Sequence, residues 1–320
     1  MKMKGLWLED KKLSFREDID VPEVSEGEAL IKTGLAGICS TDLEMVKGYY
    51  PFTGVLGHEF VGTVVKAPGY EYYEGKRVIG GINIVCGYCK ACLANHRTHC
   101  ENRRTLGISN YNGVFSEYFK IPIENLSLVP DGVEDEEAVF TELMAAALQI
   151  PNQIHISTSD KVVIVGAGRL GLLIAQVLKL SGADLTVVVR RPEPAKKLEK
   201  WGIKWVYADD LEPGRADIVV EVTGSSQGFA LSQKLIRPAG KLVLKSTFAG
   251  DVQVNLSKLV VDEVQVFGSR CGPMDGALRL LAQDLVDTDS MISAEYPLKR
   301  ALEAFKAAEA PGVLKVLIRF

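Results

Sequence analysis

The chain has 320 residues, with 37 lysines and arginines against 41 aspartates and glutamates and a formal net charge of −4. Its 47% hydrophobic and 24% charged residues are typical of a globular protein, and its length favours two domains over a single core. No basic patch stands out, so nucleic acid is not an expected partner. No apolar run reaches the ~20 residues that a membrane span needs, and no export signal is recognisable at the N-terminus. These features predict a cytoplasmic protein with reduced thiols.

The first part of the chain has the residue pattern of β-strands. β-branched residues and glycines alternate in the segments EALIKTGLAGI, FVGTVVKA and GKRVIGGINIV, which predict a barrel-like antiparallel sheet. Cys39 follows the first segment, and His58 and Glu59 directly precede the second. This stretch predicts either a strand pair with a buried thiol or two halves of a metal site.

Four of the six cysteines form one C-x2-C-x2-C-x7-C cluster: Cys86, Cys89, Cys92 and Cys100. In a reducing compartment such a cluster favours metal binding over disulfides. Four thiolates close a tetrahedral zinc site and leave no open position for a substrate. An iron–sulfur cluster also uses four cysteines, but its usual spacing differs. We therefore expect a structural zinc that supports folding, not chemistry.

The pattern changes after residue 131. The segment EDEEAVFTELMAAALQI predicts a helix with acids in its first turn. From residue 160 short apolar strands alternate with helices, which predicts parallel βαβ units. The strands of this region are predicted in KVVIVGAG, DLTVVVR, ADIVVEVTG, GKLVLKSTF and VQVFGSR. The tail predicts two helices and a final strand.

The segment VVIVGAGRLGLLIAQ contains the pattern Gly166-x-Gly168-x-x-Gly171 directly after an apolar strand and at the start of an apolar helix. This context favours a dinucleotide-binding loop over a merely structural turn. Gly166 permits the tight turn, Gly168 lets a pyrophosphate approach the backbone, and Gly171 lets the helix pack on the strand. The N–H groups at the start of the helix are expected to face the phosphates.

Arg190 and Arg191 stand at the end of the next predicted strand. An acid at this place binds the ribose 2′-hydroxyl of NAD, whereas an arginine pair suits the 2′-phosphate of NADP. The pair therefore favours NADP, with NAD as a second possibility. The alternative is that both arginines are solvated surface residues.

Together these residues resemble the zinc-dependent medium-chain alcohol dehydrogenase family, close to its sorbitol, threonine and glucose dehydrogenase branch. The resemblance is carried by Cys39, Gly57-His58-Glu59, the four-cysteine cluster, Gly113 to Tyr118 (GVFSEY) and Gly166 to Gly171 (GAGRLG). It implies an α/β fold in two parts. Residues 1–137 and 272–320 would form a β-rich GroES-like catalytic domain, and residues 138–271 would form a Rossmann doubly wound parallel sheet.

The resemblance implies an oxidoreductase that transfers a hydride between a nicotinamide cofactor and an alcohol or polyol, or its carbonyl. It implies two zinc ions per chain, one structural and one catalytic. Cys39 and His58 would bind the catalytic zinc, with Glu59 as a ligand or near-ligand. Glu142 matches the glutamate that the polyol branch carries as its third ligand, although it is also explained as an ordinary acid early in a helix. Such a zinc keeps one position open and acts as a Lewis acid.

The same resemblance suggests a proton relay beside the zinc. Thr41 would pass the proton on, and Asp42 would orient His58, although a Ser-Thr-Asp cluster also forms turns. Many relatives carry a histidine where this chain has Glu44. The relay would either continue through Glu44 or end at the cofactor ribose.

Further positions are assigned by resemblance alone. Arg169 and Leu170 complete the glycine motif, and Arg270 and Lys315 would either face the cofactor phosphates or be surface charges. Asn95 stands where the family commonly has glycine, so a left-handed backbone is expected there.

The family resemblance also implies a homodimer or homotetramer assembled through an edge strand of the Rossmann sheet. Two other hypotheses keep the fold but change the function. One is a zinc-independent quinone or enoyl reductase, and the other is a non-catalytic member. The presence of Cys39, His58 and Glu59 counts against both.

Overall fold

The computed structural model describes residues 1–247 and 251–320. The chain divides into two compact units, Met1–Glu142 with Met274–Phe320, and Leu143–Pro273. We call them unit 1 and unit 2. The predicted domain limits after residues 137 and 271 lie a few residues before the limits of these units and remain predictions.

The strands of the described residues are given by their bounds: β1 (Lys2–Glu9), β2 (Lys12–Asp20), β3 (Glu28–Gly37), β4 (Gly54–Val55), β5 (Glu59–Lys66), β6 (Arg77–Gly80), β7 (Asn83–Ile84), β8 (Arg104–Thr105), β9 (Tyr118–Pro122), β10 (Leu126–Leu128), β11 (Lys161–Val165), β12 (Asp184–Val188), β13 (Lys204–Val206), β14 (Ala216–Glu221), β15 (Ile236–Leu244), β16 (Gln265–Gly268), β17 (Ile292–Pro297) and β18 (Lys315–Arg319).

The α-helices of the same residues are α1 (Ser40–Lys47), α2 (Lys90–Leu93), α3 (Asp135–Ala138), α4 (Thr141–Gln153), α5 (Arg169–Lys179), α6 (Glu193–Lys200), α7 (Ser226–Leu235), α8 (Leu256–Val261), α9 (Met274–Ala282) and α10 (Ala301–Ala308). Short 3-10 turns lie at Glu71–Tyr73, Arg97–His99, Ile123–Asn125, Ala208–Asp210, Asp289–Met291 and Leu298–Arg300.

Unit 1 is built on a seven-stranded sheet with the order β10-β6-β5-β3-β18-β17, in which β9 also pairs with β3. The pairs are antiparallel except for β17 with β18, which are parallel. A three-stranded sheet, β2-β1-β4, and a two-stranded sheet, β7-β8, complete this unit. Residues from both chain segments form its apolar core, including Phe60, Phe119, Phe115 and Phe305. The C-terminal segment is thus an integral part of the first unit.

Unit 2 is a six-stranded parallel sheet with the order β13-β12-β11-β14-β15-β16. Counted from β11, this is the order 3-2-1-4-5-6 of the Rossmann fold. The central strands are apolar on both sides because helices cover a parallel sheet on both faces. The reversal of strand order falls between β11 and β14, which is where dinucleotides bind in such sheets.

The predicted helix EDEEAVFTELMAAALQI is two helices, so this prediction was wrong in one respect. α3 ends at Ala138 and α4 begins at Thr141. The Thr141 hydroxyl donates to the Ala138 carbonyl oxygen at 2.6 Å. Such a side-chain bond competes with the regular helical ladder and accompanies the break.

Two further differences concern strands. The strand predicted in GKLVLKSTF is β15, which ends at Leu244, and the predicted final residue of that segment, Phe248, lies outside the described residues. The tail holds a second strand, β17, which the sequence pattern did not reveal. Within residues 1–247 and 251–320, no helix is both long and apolar enough to cross a membrane.

Candidate active site

Cys39 stands at the start of α1, directly after the strand β3. Its backbone N–H donates to Asp42 Oδ2 at 2.8 Å, and the helix ends at Gly48 with a left-handed φ of 93°. The Cys39 thiol donates to Thr41 Oγ1 at 3.7 Å. The predicted turn Ser-Thr-Asp is therefore the first turn of a helix, with Asp42 capping it and Thr41 beside the thiol.

His58 and Glu59 reach Cys39 because β5 runs antiparallel to β3. In this pairing Gly37, at the end of β3, stands opposite Glu59, at the start of β5. The ligand atoms of Cys39, His58 and Glu59 all lie within 4.8 Å of one another. The two halves of the stretch that the sequence analysis singled out are thus brought together by strand register.

The negatively charged groups beside His58 favour a positive charge at this place. Asp42 is fully buried, and its Oδ1 lies 3.3 Å from His58 Nδ1. Neither atom has a hydrogen-bond partner of good geometry among the described residues, and the same holds for Glu59 Oε1. Burial lowers the pKa of His58, but the Asp42 carboxylate and Cys39 outweigh it and hold the pKa well above its ordinary value.

Buried polar atoms without partners cost free energy unless a further group satisfies them. A thiol, an imidazole and a carboxylate are also the side chains that bind zinc. The residues at this site therefore fit a zinc ion on their chemistry and on the unsatisfied Glu59 Oε1, whereas His58 Nδ1 and Asp42 Oδ1 face each other.

Lys315 lies against the same site and was not predicted there. It is 1% exposed, and its ammonium forms an ion pair with Glu59 Oε2. Its Nζ also lies 5.7 Å from the centre of the Phe140 ring. The expectation that Lys315 faces cofactor phosphates or solvent was wrong, because its strand β18 inserts beside β3 in the sheet of unit 1. A buried carboxylate such as Glu59 requires such a partner.

The four-cysteine cluster is gathered on one loop, as predicted. Cys86 Sγ and Cys100 Sγ are 3.5 Å apart, Cys89 Sγ and Cys100 Sγ are 3.9 Å apart, and all four sulfurs lie within 4.8 Å of one another. These separations are too long for a disulfide. They are close to the ~3.8 Å edge of a tetrahedron with zinc–sulfur bonds of about 2.3 Å.

The acidities of these thiols also suit a metal. Burial acts to raise the pKa of Cys86, but the backbone N–H groups of Tyr88 and Cys89 lower it to about 6. Burial and the neighbouring Cys89 raise the pKa of Cys92 to about 12. A thiolate at Cys92 is thus disfavoured unless a cation such as zinc lies beside it. Asn95 in this loop has a left-handed φ of 59°, which confirms the expectation for that position.

The glycine loop has the geometry of a phosphate-binding turn. Gly166 has a φ of 119°, and a β-carbon there would lie 2.9 Å from the Val222 carbonyl oxygen. A β-carbon at Gly171 would collide with the Gly166 carbonyl oxygen, whereas one at Gly168 would meet nothing within 4 Å. The space beside Gly168 is thus open, and α5 starts immediately after it with Arg169.

Arg190 and Arg191 follow β12 and are both exposed. β12 is the neighbour of β11 on the side away from β14, where a Rossmann sheet receives the adenosine ribose. Among the described residues neither arginine has an ion-pair partner. The pair therefore stands at the predicted place with its charges available.

Known protein families match each of the two units of the chain. The family model of the alcohol dehydrogenase GroES-like domain matches residues 25–131, and that of the zinc-binding dehydrogenase matches residues 170–283. D-arabitol-phosphate dehydrogenase of Enterococcus avium is 31% identical over 94% of this chain and 92% of its own. Sorbitol dehydrogenase of Halalkalibacterium halodurans is 29% identical over 93% of each chain.

Among solved structures, a zinc-binding dehydrogenase target from Sinorhizobium meliloti 1021, bound to NADP, superposes over 100% of both chains with a TM-score of 0.93 and 28% identity. The chain belongs to the zinc-dependent medium-chain alcohol dehydrogenase family. The predicted family and the predicted pairing of a GroES-like domain with a Rossmann domain are confirmed.

Glu142 is the remaining predicted ligand of the catalytic zinc. Glu142 is the second residue of α4 and is half-buried. The group of neighbouring ligand atoms found in the described residues contains Cys39, His58 and Glu59 but not Glu142. Its assignment as a zinc ligand stays a prediction.

Glu44 and Arg270 lie at the protein surface. Glu44 is three residues after Thr41 in α1, and its carboxylate accepts from Lys47 Nζ at 2.9 Å. Arg270 is exposed just after β16, and its carbonyl oxygen accepts from the buried Lys245 Nζ at 2.9 Å. Sequence reasoning missed Lys245, although a lysine at the end of the apolar segment KLVL is an unusual feature that marks the position.

Proposed function

We propose that the chain is a zinc-dependent oxidoreductase that uses a nicotinamide cofactor, with NADP preferred, to interconvert an alcohol or polyol and its carbonyl. The observation that carries this proposal is the convergence of Cys39, His58 and Glu59, with Glu59 Oε1 buried and unsatisfied. The polyol and polyol-phosphate activities named for its relatives support a polyhydroxylated substrate.

In this proposal Cys39 and His58 hold the catalytic zinc, and Glu142 is the candidate for a further ligand. His58 Nδ1 faces Asp42, so Nε2 is the nitrogen left for the metal. When bound, zinc supplies Lewis-acid polarisation of the substrate oxygen, and the nicotinamide accepts or donates the hydride. Lys315 neutralises one oxygen of Glu59 and so keeps the combined negative charge of the site low.

Proton movement is assigned to α1. Thr41 lies beside the Cys39 thiol and would accept the proton of the substrate hydroxyl while it passes its own hydroxyl proton on. Residues three apart share one face of a helix, so Glu44 stands in line with Thr41. Glu44 is exposed at the surface and would release the proton to solvent.

The cofactor would bind on unit 2. The open backbone at Gly168 and the N-terminus of α5 would hold the pyrophosphate. The exposed pair Arg190 and Arg191 would bind the 2′-phosphate of NADP. Lys245 would hold the backbone at Arg270 through the bond to its carbonyl oxygen.

We also propose a homo-oligomer assembled through unit 2. β16 is the edge of the parallel sheet, and an unpaired edge invites pairing with a second strand. The segment before it exposes apolar side chains: Leu256 is 69%, Val260 76% and Val261 79% exposed. Burying them against a second copy would remove this apolar surface from water.

The experiment that tests the function combines metal analysis with an activity panel. Protein purified without chelator should contain two zinc ions per chain and oxidise polyols with NADP. Exchange of Cys39 for Ser should leave one zinc and abolish activity, whereas Cys271→Ser is the matched control outside both cysteine sites. One zinc in the unchanged protein, together with no alcohol oxidation, would contradict the proposal and favour the reductase or non-catalytic hypothesis.

A further inference from the structure

The backbone immediately before His58 is confined by an aromatic ring. Gly57 has a left-handed φ of 95°, and a β-carbon there would lie 2.7 Å from the ring of Phe115. Phe115 is fully buried and packs edge-on against Phe305, with 5.7 Å between ring centres. Because the core holds this ring, the ring in turn limits where the backbone of Gly57 can lie.

The backbone at two other glycines, Gly107 and Gly113, lies close to the carbonyl oxygen of Gly57. A β-carbon at Gly107 would collide with that oxygen and lie 2.7 Å from the Gly57 nitrogen, and a β-carbon at Gly113 would collide with the same oxygen. Val114 N–H donates to this oxygen at 3.1 Å. The peptide bond between Gly57 and His58 is therefore held by backbone that lies very close to it. A side chain at Gly107 or Gly113 would prevent this close packing.

The segment that makes this approach continues from the four-cysteine loop. That loop begins after β7 and ends at β8, and the two strands are paired with Asn83 opposite Thr105. Gly107 comes two residues after β8, and Leu106 N–H donates to the Ile82 carbonyl oxygen at 3.0 Å. Closure of the cysteine loop thus fixes where Gly107 meets Gly57.

We propose that Gly107 and Gly113 are positioning residues for His58, through which the four-cysteine loop maintains the catalytic metal site. The inference rests on the function proposed above, because it concerns the metal affinity of the Cys39 and His58 site. The cysteine loop would then support the catalytic metal site as well as stabilise the fold. A chain with a displaced Gly107 keeps all its metal ligands but presents His58 at the wrong angle.

The test follows zinc release from the whole protein to a chromogenic chelator. Two release phases are expected. Cys39→Ser removes one phase. Cys92→Ser removes the other and should accelerate the phase that remains, because the cysteine loop maintains the Cys39 site. Gly107→Ala should accelerate the phase assigned to Cys39 about 10- to 100-fold, the range for loss of a group that orients a metal ligand. The phase assigned to Cys92 should stay within about twofold, by the same reasoning.

The matched control is Gly75→Ala. Gly75 also has a left-handed φ, of 79°, but a β-carbon there would meet nothing within 4 Å, so this variant carries the backbone strain without the collision. If Gly107→Ala does not fold, Phe115→Leu decides, because it loosens Gly57 without adding atoms and should accelerate the same phase.

Three results would overturn the inference in distinguishable ways. Two phases in the unchanged protein, with equal release from Gly107→Ala and Gly75→Ala, would contradict the positioning role alone. If Gly107→Ala is unfolded, an unchanged rate of zinc release from Phe115→Leu would likewise contradict the positioning role alone. A single phase in the unchanged protein, lost in Cys92→Ser, would contradict the metal site itself and with it the proposed function.

Discussion

At the scale of single residues, the candidate site was predictable where a residue type is needed for chemistry. Cys39 and His58 can be identified from their residue types and their sequence context. Strand register brings them together as expected. Lys315 was not predictable, because its partner Glu59 lies 256 positions away and one lysine in an apolar strand does not reveal which carboxylate it neutralises. Motifs reveal ligands, whereas the charges that balance them depend on tertiary structure.

The cofactor preference is tested at Arg190 and Arg191. Exchanging them for Asp and Ala should weaken NADPH binding by roughly 10- to 100-fold, since hydrogen bonds to charged groups contribute about 1.5–3 kcal/mol. NADH, which lacks the 2′-phosphate, should bind almost unchanged. Titration of both cofactors measures the effect. Arg215→Ala is the control, because Arg215 is an exposed arginine paired with Glu212; equal weakening of both cofactors would contradict the assignment.

The ligand assignment of Glu142 is tested by Glu142→Gln, which preserves shape and removes the charge. Activity and zinc retention should fall together, by at least about 10-fold in metal affinity. Kinetics and zinc content are measured on the same preparation, beside Glu303→Gln as a control for loss of an exposed carboxylate. Unchanged zinc content with unchanged kinetics would leave Glu142 an ordinary helical acid.

At the scale of elements, local pattern was sufficient where a strand or helix is apolar on a regular period. The parallel strands β11, β12 and β14 and the helix α5 fall where the apolar runs predict them. β17 was missed although ISAEYP alternates half-buried Ile292, Ala294 and Tyr296 with exposed residues, which is the period of a half-buried strand. The run is only six residues long and ends in proline, which weakens its signal. Its place depends on β18, its parallel neighbour, and therefore on pairing that sequence periodicity does not contain.

The exposed edge of unit 2 is tested by the double change Val260→Asp and Val261→Asp. Charges on this apolar surface should disfavour burial against a second copy, so the mass of the particle in solution should fall toward that of one chain. Light scattering during size-exclusion chromatography measures the mass. Val65→Asp is the control, since Val65 is an exposed valine in unit 1. An unchanged oligomeric mass would place the interface elsewhere.

At the scale of the whole molecule, the sequence predicts the two-part organisation because the period of its apolar residues changes along the chain. The return of the final segment to the first unit came from family resemblance alone. Composition and periodicity do not specify that β18 inserts between β3 and β17, because such an insertion depends on long-range pairing.

The insertion of β18 has a consequence for synthesis on the ribosome. Unit 2 is complete in the nascent chain once residue 273 has been added, whereas the sheet of unit 1 waits for residues 315–319. Until then Glu59 has no lysine to neutralise it, and the edge of β3 that receives β18 is open. Unpaired strand edges and exposed apolar surface make partly folded chains prone to aggregation. The vulnerable period in the synthesis of this protein is therefore the interval before β18 leaves the ribosome.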